Sequence, residues 1–74
     1  MPHLDARHLF CPLPVIRVGE RVRTLAPGDV LTVSCTDRGA LQDIPAWCRL
    51  EGHELLASRI EPTGEVSITI RVHR

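Results

Sequence analysis

Three cysteines, Cys11, Cys35 and Cys48, are the side chains here with the most latent chemistry. An odd number leaves at least one thiol free, which argues against the even disulfide framework of small secreted chains. No two of them form a Cys-x-x-Cys pair, so the usual redox and zinc-ribbon spacings are missing as well. Cys11 stands out by position, because Pro12 and Pro14 follow it where an alternating stretch gives way to a helical period. A cysteine at a helix N-terminus meets unmade backbone N–H groups and the positive end of the helix dipole, and both favour a thiolate. Pro12 and Pro14 bring no N–H, so the amides of Leu13 and Val15 are the expected partners. The competing reading is structural: a free cysteine is often a small buried apolar residue.

Cys35 falls in the apolar phase of a strand and Cys48 in that of a helix, so both read as core. His8 lies three residues before Cys11 and is a candidate base for it, or an inward, merely packed ring. The His8–Cys11 spacing, with His3, His53 and His73 elsewhere, completes no tetrahedral set, and no metal is assigned. Phosphate-binding glycine loops, Gly-x-Ser-x-Gly elbows and paired catalytic carboxylates are absent.

The elements that must position these residues follow from periodicity and punctuation. From His3 to about His8, Leu4, Ala6 and His8 alternate with polar residues, as in a half-buried strand. From Pro12 to Leu25, Val15, Val18, Val22 and Leu25 fall within an arc of about 80° on a helical wheel. Ala26-Pro27-Gly28-Asp29 is a turn and Val30 to Cys35 a strand. Thr36 or Asp37 can cap a second helix over about 38–51, along which Leu41, Ile44 and Cys48 recur; Pro45 should kink it or confine its regular part to the second half. Gly52 stops it, where His53 can cap carbonyls. His53 to Glu61 and Val66 to Val72 make two strands around Pro62-Thr63-Gly64. The expected fold is α+β: a βαβαββ two-layer sandwich, its mixed four-stranded sheet covered on one face by both helices. Asp5, Arg7, Thr32, Ser67, Thr69 and Arg71 should line the other face.

Length and charge narrow the function. Seventy-four residues suit one domain, expected over residues 1–74, with little room for a substrate pocket of a few hundred Å3 beside its core. All nine cations are arginines, balanced by nine acids, so neither Schiff-base lysines nor the basic excess of a nucleic-acid binder is present. With no membrane-spanning stretch or signal-peptide pattern, the chain reads as soluble and cytoplasmic, without nucleic-acid or membrane contacts. If Cys11 is reactive, a partner protein completes its site. Leu13, Ile16, Glu20 and Arg23 lie beside the buried stripe and next to Cys11, a face suited to docking or simply an ordinary surface. Trp47 marks a partly exposed neighbouring patch, or packs against the core.

Leu4-Asp5-Ala6-Arg7-His8-Leu9-Phe10-Cys11-Pro12-Leu13-Pro14, Leu25-Ala26-Pro27-Gly28, Asp43-Ile44-Pro45-Ala46-Trp47-Cys48 and Gly52-His53-Glu54-Leu55 together resemble the TusA/SirA family of small sulfur carriers. The resemblance implies a βαβαββ sandwich in which Cys11 bears sulfur as a persulfide. It further implies a donor, a cysteine desulfurase or rhodanese, and an acceptor relay protein serving tRNA 2-thiouridine formation, sulfur oxidation or molybdenum-cofactor maturation. No cofactor and no independent small-molecule turnover are expected, and the free chain is expected to be a monomer. A non-catalytic regulatory or interaction module of the same fold is the alternative. Two positions depart from the family pattern: His8 replaces a common Gly, and Asp37-Arg38 a common Asp-Pro.

Overall fold

The computed structural model describes residues 2–73. Alternation carries the sheet. In β2 (Val30–Cys35), Leu31, Val33 and Cys35 point inward, and in β4 (Val66–Arg71) Val66, Ile68 and Ile70 do the same. β1 (His3–Ala6) runs parallel to β2, with Ala6 opposite Cys35. β4 runs antiparallel to β2 and to β3 (Glu54–Ile60), giving the sheet order β1-β2-β4-β3. α1 (Leu13–Val22) and α2 (Ala40–Glu51) cover one face. Val18 and Val22 from α1, and Ala40, Ile44 and Cys48 from α2, join the inward strand residues in one apolar cluster. No buried side chain is charged or polar among the described residues, as a core this small requires.

The expected βαβαββ order and two-layer mixed sheet are therefore present, with local differences. β1 ends at Ala6 rather than His8, because Asp5 takes the Arg7 amide (3.1 Å) and His8 turns to a φ of 68°. His8 thus adopts the left-handed region where a glycine costs least. α1 stops at Val22, and Thr24 and Leu25 continue it only as tight turns onto Arg21 and Val22. Pro12 stands just outside α1 as its N-cap residue, while Pro14 is buried in the first turn.

α2 is neither confined to its second half nor opened by a Thr36 or Asp37 N-cap. It begins at Gly39–Ala40, and Pro45 sits inside it, buried. One missing backbone bond is tolerated where the ring fills core space. Asp37 instead closes the preceding turn, accepting from the Gly39 amide at 3.0 Å. Gly52 ends α2 at a φ of 79°, and its N–H and that of His53 both return to the Cys48 carbonyl. On the outer sheet face Thr32 pairs with Thr69 and Ser34 with Ser67, while Asp5, Arg7 and Arg71 reach solvent.

Candidate functional site

Parallel pairing of β1 and β2 brings their C-terminal ends to one edge of the sheet. The segments that follow, residues 7–12 and 36–39, consequently lie side by side. Two hydrogen bonds fasten them: the His8 amide donates to Thr36 Oγ1 (2.8 Å) and the Cys11 amide to Asp37 Oδ2 (2.9 Å). The same Asp37 carboxylate holds the Gly39 amide, and these two backbone donors lower its pKa. The Cys11–Pro12 peptide is cis, and the Leu13 amide closes the loop onto the Phe10 carbonyl at 2.8 Å.

Cys11 is exposed, whereas Cys35 and Cys48 are buried. Burial pushes the Cys35 and Cys48 thiols up to about 11, so the core assignment of both holds. The expectation of a lowered Cys11 pKa is overturned. Its Sγ donates to Asp43 Oδ2 at 3.0 Å, and this bond, with desolvation and the charges of Asp43 and Asp37, raises the thiol pKa. The Leu13 amide is unavailable to the sulfur because Phe10 has taken it. Acceptor-only carboxylates have replaced the backbone donors that the helix start suggested.

His8 is exposed, and its ring makes no hydrogen bond to Cys11, so the group that meets the thiol is Asp43 from α2. Sequence reasoning missed both Asp37 and Asp43 as site residues. The available signal was positional: Asp37 in the turn before α2 and Asp43 in its first turn follow β2, whose parallel pairing with β1 delivers them to the edge occupied by Cys11. Among the described residues no group of three His, Cys, Asp or Glu side chains is placed to hold a metal ion.

The flanking face divides. Leu13 and Ile16 are exposed, at 43% and 49%, as is Phe10 at 72%. Val15 and Trp47 instead pack against the core, with the Trp47 indole 5.2 Å from the His53 ring. Gly19 leaves space opposite Trp47, 3.7 Å from where a Cβ would stand. Two open hollows result between the helices. One of about 380 Å3 is bounded by Arg23, Trp47, Glu51 and His53; the other, about 310 Å3, by Ile16, Glu20, Arg23 and Trp47. Space of a few hundred Å3 therefore does exist, contrary to expectation, but as surface relief outside the core. Cys11 and Leu13 line neither hollow, whereas Ile16, Glu20, Arg23 and Trp47 share the second.

Comparison with known proteins agrees with this architecture. The family model described as Sulfurtransferase TusA matches residues 3–72. The sulfur carrier protein TusA of Pseudomonas syringae pv. tomato is 47% identical over 58 residues, covering 78% of the chain and 69% of that protein. The putative sulfur carrier protein YrkF of Bacillus subtilis is 40% identical over 63 residues, which are 85% of the chain but only 33% of YrkF. A SirA-like protein from Desulfitobacterium hafniense superposes with a TM-score of 0.87 at 25% identity, over the full length of both chains. A match spanning nearly every described residue, on the same fold, places the chain in the TusA sulfurtransferase family.

Proposed function

We propose that residues 1–74 act as one sulfur-carrier domain in which Cys11 accepts sulfane sulfur as a persulfide and hands it to an acceptor protein. The observation that carries this reading is the division of the thiols: Cys11 alone is exposed, in a segment pinned by Thr36 and Asp37, and the other two are buried. The sulfur-carrier names of the relatives support the same chemistry. A cysteine desulfurase or a rhodanese fits as donor, and a relay protein serving tRNA 2-thiouridine formation or another sulfur pathway fits as acceptor. Transfer needs no cofactor, since one thiolate displaces another from sulfur. Pro12, Pro14 and Val15 shape the segment, while Leu13 and Ile16, with Glu20, Arg23 and Trp47 around the neighbouring hollow, offer the docking face. The proposed setting is the cytoplasm, and among the described residues no helix is long and apolar enough to cross a membrane.

The test is intact mass after incubation with a cysteine desulfurase and cysteine. The wild-type chain gains one sulfur atom, and Cys11→Ser gains none. Retained uptake in Cys11→Ser, on Cys35 or Cys48, overturns the assignment.

A further inference from the structure

Sγ must lose its proton before it can attack a persulfide, because the thiolate is the nucleophile. In the free chain the surroundings of Cys11 oppose that loss. Its thiol donates to Asp43 Oδ2 at 3.0 Å, and Asp37 stands at its amide, 2.9 Å away. Two elements bring charge to the sulfur: the β2–α2 turn contributes Asp37, and α2 contributes Asp43. His8 in the loop of Cys11 and Arg38 next to Asp37 in the chain are exposed, and neither side chain bonds to the thiol. Neither carboxylate has a cation within ion-pair distance among the described residues. A thiolate formed here therefore faces two uncompensated negative charges, one of them in direct contact.

The geometry points to Asp43 as a lock on Cys11: its carboxylate holds the sulfur as a thiol in the free protein, and a donor releases it by docking a cationic side chain against the Asp43–Asp37 pair. This rests on the reading of Cys11 as the sulfur-bearing thiol, and it assigns that donor a basic group beside its own persulfide. The rise in the Cys11 pKa, caused first by the Asp43 hydrogen bond, agrees with it. Transfer balances without an oxidant or reductant. A bond forms from Cys11 Sγ to the donor's outer sulfur, the donor S–S bond breaks, and its electron pair leaves on the inner sulfur. The Cys11 proton ends on that departing thiolate, because carboxylates are weaker bases than thiolates by about four pKa units.

The pH dependence of Cys11 alkylation by iodoacetamide, followed by intact mass, tests the lock. Wild type should show the highest midpoint, Asp43→Ala a lower one, and Asp43→Asn the lowest, since the Asn amide donates to a thiolate where Asp repels it. Removing the charge in contact with the thiol lets more thiolate form, and this outweighs the lower nucleophilicity of a less basic sulfur, so Asp43→Asn should alkylate several-fold faster at pH 7. Coincident profiles, or Asp43→Ala above wild type, overturn the proposal. Continued protection of Cys35 and Cys48 shows that each variant is folded. Should Asp43→Ala expose them, the near-isosteric Asp43→Asn decides. Sodium tetrasulfide, a sulfur donor with no cationic group, should load Asp43→Asn several-fold faster than wild type at pH 7, and equal loading also overturns the lock. Loading of Cys11→Ser by tetrasulfide sinks the sulfur-bearing role instead, leaving the alkylation profiles to judge the lock by themselves.

Discussion

Cys35 and Cys48 give the fold an alkaline weakness that can be traced to individual side chains. Burial pushes both thiols from 9.0 up to about 11. A raised acid pKa means that the fold favours the protonated form, so this contribution is whole below the unfolded pKa and is lost as pH climbs through the folded one. The window runs from about pH 9 to about pH 11. The chain has no Lys or Tyr and its nine cations are arginines, which keep their charge there, so the side chain that shares this window is Cys11, whose pKa is also raised and which substitution of the two buried thiols leaves in place. The urea midpoint of wild type should fall across this window, and Cys35→Ala/Cys48→Ala should flatten the fall. The double variant begins from a lower midpoint at pH 7, by roughly 1 kcal/mol per site for the lost apolar bulk. An unchanged slope assigns the alkaline loss to something other than the buried thiols.

α2 shows at the scale of an element what was legible beforehand and what was not. Its apolar positions Ile44 and Cys48 and its stop at Gly52 follow from residues close in sequence, and the structure has all three. Likewise the period-2 run from Val66 to Val72 yields β4 because alternation is a local property. Pro45 was legible only in part: sequence shows the missing N–H but not the buried space that the ring fills, and the helix runs on both sides of it rather than in its second half alone. The site was half legible for a similar reason. Cys11 could be singled out from its neighbours, whereas Asp43, 32 residues away, meets it only once β1 and β2 lie parallel and α2 starts at their common edge. The C-terminal end of α2 should be separable from that chemistry. Gly52 holds a φ of 79°, so Gly52→Ala should cost about 1 kcal/mol in chemical denaturation. It should leave the Cys11 alkylation profile unchanged, since Asp43 lies in the first turn. A profile that shifts with Gly52→Ala couples the two ends of the helix and contradicts this separation.

Across the whole molecule, charge is balanced in sum but not in arrangement. The ion pairs Arg7–Asp5, Arg7–Glu65, Arg59–Glu61, Arg71–Glu54 and His73–Glu54 all belong to the strands and the residues next to them. Arg17, Arg21, Arg23, Arg38 and Arg49, on and beside the helices, are exposed and have no ion pair among the described residues. The helix layer also carries exposed Leu13, Ile16 and Leu50, the last at 86%, with Phe10 beside Cys11. Unpaired arginines around exposed apolar side chains match the composition of protein docking sites, where Arg and large apolar residues are enriched. Ile16, on α1 and at the rim of one hollow, is the residue through which to test docking apart from thiol chemistry. Ile16→Asp places a charge in the apolar patch while leaving the core and the Cys11–Asp43 contact alone. Sulfur uptake from a loaded desulfurase should fall by about tenfold, the loss expected for one central interface residue, with uptake from tetrasulfide unchanged. Equal losses from both donors place the damage at the thiol, and no loss from either moves the docking face off α1. Added salt should slow uptake from the protein donor alone, because its encounter is steered by the exposed arginines.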